Sequence, residues 1–213
     1  MSWQVNYALE NIRQIPNVTS VQHIRGDLIK VTIHEQPDAN AVISAADLIT
    51  SELVAQYYAV FPEIDFLCGY RKGAVWEGGA IDYLEARAIG WGSAGTLSSA
   101  IQADNVKTAA HKDYFFSYRL ISQMSSVRHI VREFDRVFTM TLASERSVRV
   151  GMIMEYEPTA DSVRSFMDRF GRIDIAWSIN PNGHPTQNAI EAGRSLGCEV
   201  MKWNELKVYL QNH

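Results

Sequence analysis

The sequence of this chain contains one pattern twice. Residues 61–101 and 170–210 align without a gap at an offset of 109, and six of the 41 aligned positions are identical. The identical positions are Phe61 with Phe170, Ile64 and Asp65 with Ile173 and Asp174, Ala80 and Ile81 with Ala189 and Ile190, and Leu97 with Leu206. The apolar positions of the two segments coincide as well, so the alignment is determined by residues that are expected in a core. Such a repeat predicts two units of one kind rather than a single large domain.

A second match lies upstream of the first. Residues 7–24 and 113–130 align at an offset of 106 with six identities in 18 positions, including a shared Ser-Val-x-His-Ile that ends at Ile24 and Ile130. Because both matches run in the same order, we expect an internal duplication, with units at residues 1–103 and 104–213. Two fused copies would form an internal pseudo-dimer.

Hydrophobic periodicity predicts an α/β fold in both units. The residues at 28–33 and 137–142 alternate and are rich in β-branched types, which is typical of strands. Residues 160–170 place apolar side chains at helical spacing. Extending this along the chain gives the order α-β-β-α-β-α-β-α in each of two tandem, pseudo-symmetric units, each a mixed sheet flanked by helices.

Composition limits the classes of function. Twenty basic and 24 acidic residues give a formal charge of −4, which argues against a broad nucleic-acid-binding surface but leaves a local basic patch open. Cys68 and Cys198 have no neighbouring cysteine at metal-ligand spacing, so we expect reduced, buried thiols. No apolar run reaches the roughly 18 residues of a membrane span, and no signal peptide is evident. These features predict a cytoplasmic protein without membrane contact.

Two loops that follow equivalent predicted strands carry the candidate binding residues. In open α/β sheets, ligands bind beyond the carboxyl ends of strands. The first loop contains Arg71, Lys72, Trp76 and Glu77. This mixture would suit a phosphate backbone with a stacked base, or a protein interface, where Trp and Arg are favoured.

The second loop contains Asn180, Asn182 and His184, which offer amide groups and a titratable imidazole. The same Asn-Pro-Asn-Gly segment is also a turn signature. The two loops share no sequence, so different roles in the two halves are expected, with simple turns as the alternative.

Glu155 and Glu157 are the candidate metal ligands. Placed two apart at the end of the strand predicted at 148–156, they would point to the same side and could bind Mg²⁺, with Asp135 or Asp161 assisting. Acids at the solvent end of a strand are common without any metal, so our expectation is no required cofactor.

Two pairs of residues receive structural interpretations. His23 and His129, aligned by the upstream match, are expected to pack between a helix and a strand. Asp65 and Asp174, each at the start of a predicted buried strand, are expected to bond a neighbouring turn.

The last 40 residues resemble the end of Mrr-type restriction-endonuclease-like domains. The resemblance rests on a strand, the Asn-x-Asn-Gly turn at 180–183, the helix AIEAGRSLG and the closing CEVMKWNELKVYL. The whole chain also resembles bacterial proteins without an assigned activity. The resemblance implies a nuclease-like fold with an upstream hairpin that carries an acidic residue and then Glu-x-Lys or Gln-x-Lys.

The chain departs from that family at the catalytic residues. The second unit reads MIMEYEPT, without a lysine, and the first reads AVISAAD, without any such triplet. We therefore expect a non-catalytic binding or assembly module in a bacterial DNA-handling or defence system, with a protein partner, DNA as a further partner, and homo-oligomers as an open alternative. The alternatives are a divalent-metal-dependent nuclease with a rearranged site, or an enzyme that binds a small ligand or phosphate between the strand-end loops.

Overall fold

The computed structural model describes residues 2–213, which divide by their contacts into unit 1, Met1–Lys112, and unit 2, Asp113–His213. The predicted boundary at 103/104 lies nine residues earlier. Residues 104–112 group with unit 1 because they contact its last strand and its core. The described residues form eight helices and three sheets, so the fold is mixed α/β.

Unit 1 is a five-stranded mixed sheet with helices on both faces. Its elements are α1 (Trp3–Ile12), β1 (Val18–Arg25), β2 (Leu28–Ile33), β3 (Ala39–Ser44), β4 (Leu48–Ile49), α2 (Ser51–Val60), β5 (Phe66–Gly69), β6 (Val75–Trp76), α3 (Gly78–Glu85), β7 (Gly90–Ser93) and α4 (Ala94–Gln102). The sheet order is β1-β2-β3-β5-β7, antiparallel up to β3 and parallel from there on. The short β4 and β6 form a separate parallel pair.

The core of unit 1 lies on both faces of this sheet. Apolar side chains of α1 and α4 pack on one face, and those of α2 and α3 pack on the other. The alternating residues of β2 supply both, since Ile29 and Val31 face the first cluster and Leu28 faces the second. The result is three layers, helix, sheet and helix.

Unit 2 has the same succession without the short pair. Its elements are α5 (Lys112–Ser122), β8 (Val127–Phe134), β9 (Val137–Leu142), β10 (Ser147–Ile153), α6 (Ala160–Phe170), β11 (Ile175–Ser178), α7 (Gln187–Ser195), β12 (Glu199–Met201) and α8 (Trp203–Asn212). Its sheet order is β8-β9-β10-β11-β12. Helices again cover both faces.

Each unit has a strand that the sequence did not predict. β1 and β8 precede the strands expected first, so three strands of the main sheet rather than two come before α2 and before α6. Both lie at a sheet edge and bury few side chains; only Val21 of β1 is buried. An edge strand exposed on both faces has little hydrophobic alternation, which explains why periodicity missed it.

The strand pairings of unit 1 recur in unit 2 at a constant offset of 109. Ser20 pairs with Thr32 as His129 pairs with Thr141, and the irregularities in β1 and β8 fall at matching positions. The upstream match at an offset of 106 is therefore three residues out of structural register. His129 stands where unit 1 has Ser20, so the expected equivalence of His23 and His129 is wrong.

The two histidines also lie away from the predicted packing position. His23 lies within β1, where Nε2 is 2.8 Å from the Gly26 carbonyl oxygen. His129 is an exposed residue of the edge strand β8. Neither side chain lies between a helix and a strand of the core.

The cysteines are free and buried, as predicted. Burial raises the pKa of the Cys68 thiol to about 12 and that of the Cys198 thiol to about 11. Each unit therefore holds one thiol that stays protonated and inaccessible while the unit is folded.

Candidate functional site

The loop after β5 in unit 1 is held by a backbone ladder beyond the sheet. Leu48 pairs with Val75 and Ile49 pairs with Trp76. The ladder fixes the second half of the loop, residues 75–77, whereas Arg71, Lys72 and Gly73 are exposed at its tip. The structure thus separates the four residues predicted for this loop into two pairs.

Trp76 and Glu77 have structural positions. Trp76 is 2% exposed and packs on Trp91, with ring centroids 5.3 Å apart. The Glu77 carboxylate accepts a hydrogen bond of 2.9 Å from the backbone N–H of Ser51, the first residue of α2. The indole predicted to contact a partner is a core residue, and the carboxylate satisfies a helix N-terminus.

Three aromatic side chains form what we call the aromatic patch, Trp3, Tyr7 and Tyr70. Arg71 and Lys72 directly follow Tyr70 in the chain. Trp3 and Tyr7 are 56% and 58% exposed. The Trp3 ring meets Tyr7 at 6.3 Å and Tyr70 at 6.2 Å, edge to face in both cases. The patch thus joins one face of α1 to the start of the loop.

Bonds between α1 and the loop fix the aromatic patch. Asn11 donates a hydrogen bond of 3.1 Å to the Tyr70 hydroxyl. Partial burial raises the pKa of that hydroxyl. Arg71 forms an ion pair of 3.4 Å with Asp47, so part of the local positive charge is neutralised.

The sequence held a signal for the aromatic patch that our prediction did not use. Trp3 and Tyr7 are four residues apart and thus share one face of α1. That face lies opposite the buried Val5, Ala8 and Leu9. Two large aromatic side chains on the polar side of an amphipathic helix indicate a surface available to a partner.

In unit 2 the predicted metal pair lies outside the sheet. β10 ends at Ile153, three residues before the predicted end, so Glu155 and Glu157 lie in the following loop and not on one strand face. Residues 2–213 contain no group of three or more His, Cys, Asp or Glu side chains arranged to hold a metal ion.

The two acids expected to assist that pair are already in ion pairs. Asp135 is 2% exposed and receives two hydrogen bonds of 2.8 Å from the Arg136 guanidinium. Asp161, in the first turn of α6, pairs with Arg164 at 3.2 Å. The buried Asp135 is therefore neutralised by its partner, whereas the pair of Asp161 is exposed to solvent.

The loops after β10 and β11 meet each other. Thr186 donates to the Pro158 carbonyl oxygen through its backbone N–H at 2.9 Å and through its hydroxyl at 3.0 Å. Gly183 lies so close to Tyr156 that an added Cβ atom would overlap the Tyr156 carbonyl oxygen. The predicted ligand turn and the predicted acidic pair are consequently neighbours at the carboxyl ends of β10 and β11.

Lys202 holds the second loop in place. Its ammonium group donates hydrogen bonds to the backbone carbonyl oxygens of Asn180, Pro181 and Gly183. The Asn180 side-chain oxygen accepts from the backbone N–H of Asn182 at 3.1 Å, which closes an Asx turn. The side chains of Asn182 and His184 remain exposed.

A charged network crosses the hairpin of unit 2. Arg149 on β10 donates to Glu133 on β8 through Nε and Nη2, and Thr139 on β9 donates to the same carboxylate. The bonds from Arg149 and Thr139 lower the pKa of Glu133. The basic residue of β10 is therefore occupied by an ion pair within the sheet.

No protein-family model, curated protein or solved structure matches this chain. None of the helices in residues 2–213 is long and apolar enough to cross a membrane.

Proposed function

We propose that this chain is a non-catalytic binding module of nuclease-like architecture that assembles with a protein partner in a bacterial DNA-handling or defence system. Its two units would be copies of one restriction-endonuclease-like scaffold. The constant offset of 109 between their strand pairings supports this origin.

The proposal that catalysis is absent rests on the hairpin residues. A nuclease of this type needs unpaired carboxylates and a lysine that converge on a metal and a water molecule. In unit 2 the acids near the hairpin, Asp135 and Glu133, are held by Arg136 and Arg149. In unit 1, Lys30 of β2 pairs with Asp38 at 2.7 Å. These charged side chains form ion pairs within their own units.

The aromatic patch is the observation that supports binding. Trp and Tyr are enriched among residues that dominate protein interfaces, and Trp3 and Tyr7 are more than half exposed here. Arg71 is paired with Asp47, and the pKa of Tyr70 is raised chiefly by burial, with a smaller contribution from the negative charge of Glu10. A surface with aromatic rings and nearly balanced charge suits a protein better than a phosphate backbone, which needs clustered cations.

Site-specific photocrosslinking tests the binding surface. We expect benzoylphenylalanine at Tyr7, introduced in the cells that make the protein, to give discrete protein adducts that disappear with Trp3→Ala. The same group at Phe116, which is 60% exposed on α5, is the matched control and should not give them. Equal adducts at both positions would contradict the proposal.

Two further assays separate this proposal from its alternatives. Salt-sensitive retention on DNA that Arg71→Ala with Lys72→Ala abolishes would assign the surface to nucleic acid. Cleavage of DNA with Mg²⁺ or Mn²⁺ that Glu155→Ala or Glu157→Ala abolishes would establish the nuclease alternative. We expect neither result.

A further inference from the structure

The outer edge of β7 in unit 1 is covered by residues 104–110, which we call the edge segment. The backbone N–H of Trp91 points away from β5 and donates to the Ala109 carbonyl oxygen at 2.9 Å. Val106 and Ala109 are each 8% exposed and belong to the core. A Cβ atom on Gly90 would overlap the Val106 carbonyl oxygen, so the segment lies directly on the strand.

A charge also holds the edge segment. The Lys107 ammonium lies 3.2 Å from an oxygen of Asp65, whose side chain is 13% exposed. The other Asp65 oxygen accepts from the backbone N–H of Asn40 at 2.8 Å. The segment therefore presents an apolar residue, a lysine, a polar residue and a small residue in sequence, Val106-Lys107-Thr108-Ala109.

β12 in unit 2 has the same register and an open edge. Ile175 pairs with Glu199 as Phe66 pairs with Gly90, so Val200 corresponds to Trp91. The N–H of Glu199 is bonded to Asp174 just as that of Gly90 is bonded to Asp65, which directs the N–H of Val200 outward. Unit 2 has no counterpart of the edge segment among the described residues.

A groove of about 480 Å³ lies where that segment would be. It is lined by Glu199, Met201, Asn204, Glu205, Val208, Tyr209, Asn212 and His213. Val208 is 55% exposed, although it lies on a helix whose Leu206 and Leu210 are in the core. An exposed strand edge beside an apolar helix face is a known setting for addition of an extended peptide.

The carboxylates around the groove specify the charge of its ligand. Asp174 accepts the backbone N–H of Arg149 at 2.8 Å through one oxygen, as Asp65 does from Asn40. No lysine or arginine of residues 2–213 pairs with Asp174, whereas Asp65 has Lys107. Glu199 adds a second carboxylate where unit 1 has Gly90.

We propose that the groove beside β12 binds an extended basic segment of a partner protein, which adds to the open edge of β12. Its apolar residue packs on Met201 and Val208, and the following lysine or arginine pairs with Asp174. The groove belongs to unit 2 and the aromatic patch to unit 1, so either proposal can fail while the other stands.

The experiment uses the full chain and a fluorescent peptide with the sequence ADNVKTAAHK, residues 103–112. We expect saturable binding by fluorescence polarisation at peptide or protein concentrations up to about 1 mM. Val208→Glu and Asp174→Asn should each weaken it about tenfold or more, since the first blocks the groove and the second removes the charge but keeps an oxygen for Arg149. A peptide with glutamate in place of Lys107 should bind similarly weakly.

Asp168→Asn, at an exposed position of α6 that does not line the groove, is the matched control, and it should leave the affinity within about twofold. The proposal is overturned by an absence of saturable binding, or by binding whose affinity is unchanged in both Val208→Glu and Asp174→Asn. A concentration-dependent dimer in sedimentation that Val208→Glu abolishes and the peptide does not dissociate would assign the groove to a second copy, which also overturns it.

Discussion

The loops that follow β5 and β11 occupy equivalent places in two sheets of one register, yet they are held by different forces. In unit 1 the loop is held by the β4–β6 ladder and by Trp76, an apolar side chain in the core. In unit 2 it is held by one ammonium group, that of Lys202, bonded to three carbonyl oxygens. The equivalent of Lys202 in unit 1 is Ser93, which caps α4.

Because of this difference, the first loop is tied to the stability of its unit more closely than the second loop is. Trp76 cannot be removed without opening the core, so the tip of the first loop, with Arg71 and Lys72, extends from a rigid base. Lys202 lies outside the core clusters, so the second loop can loosen while the sheet remains folded. We expect the first loop to behave as a fixed surface and the second as a locally adjustable one.

The largest effect should come from Trp76→Ala. Removing a buried indole typically costs about 3–5 kcal/mol of unfolding free energy. Pulsed thiol labelling with mass spectrometry would measure it, because Cys68 and Cys198 report separately on the two units. We expect labelling of Cys68 to accelerate about a hundredfold or more while Cys198 changes little. The exposed Trp3→Ala is the control, and a similar acceleration there would contradict this assignment.

A smaller loss is expected for Gly183→Ala in unit 2. The added methyl group overlaps the Tyr156 carbonyl oxygen, a backbone atom that cannot rotate aside, so one of the two loops must shift. Overpacking of this kind costs about 1–3 kcal/mol, and faster labelling of Cys198 should report it. Gly95→Ala, inside α4 and in ordinary contact only, should be neutral or slightly stabilising. Equal effects of the two substitutions would show that the loops do not press on each other.

Lys202→Met tests the ammonium anchor directly. Loss of the charged hydrogen bonds should lower the local stability of the loop by about 1.5–3 kcal/mol. The loss is not larger because the freed carbonyl oxygens can form hydrogen bonds with water. Hydrogen exchange should accelerate in residues 180–186 and leave β11 protected. Lys207→Met, an exposed position on α8, is the matched control. If β11 exchanges as fast as the loop, the anchor supports the whole sheet and the contrast between the loops is lost.

How far the sequence predicted this structure depends on where each residue lies. β2, β9 and α6 were predicted with the observed bounds because the regular spacing of their apolar residues matches the positions that face a core. Asp65 and Asp174 do accept backbone hydrogen bonds, but from the neighbouring strand rather than from a turn. The gapless offset of 109 was carried by core residues and extends through both sheets.

The failures have one physical origin. β1 and β8 gain their structure from pairing at a sheet edge, and local hydrophobicity does not record that pairing. The Ser-Val-x-His-Ile match lay in those strands, so it suggested a register that backbone hydrogen bonds overrule. Trp76 was assigned to a surface because its short strand forms only by pairing with β4, which lies twenty-seven residues earlier in the chain. Contacts between distant segments decided each case.

The smallest expected effect concerns the Glu133–Arg149 pair, which unit 1 lacks because Ile24 and Asn40 stand at the equivalent positions. The pKa of Glu133 is lowered in the folded protein, chiefly by the bonds from Arg149. A carboxyl with a lowered folded pKa contributes stability above its ordinary pKa of 4.5, and that contribution is lost as the pH falls through the folded value. Unit 2 should therefore lose stability below pH 4.5.

Hydrogen exchange of β8–β10 in urea, between pH 7 and pH 3, would measure that loss. Glu133→Gln should remove it, so that the variant is less stable than the wild type at pH 7 and approaches it at pH 3. The matched control in unit 1 is Asp38→Asn, whose pair with Lys30 is more exposed, at 43% and 39% against 23% and 28% for Arg149 and Glu133. Solvent screens an exposed pair more strongly, so the control should change the pH dependence less. An equal change in both units would show that the partly buried network of unit 2 adds no acid sensitivity of its own.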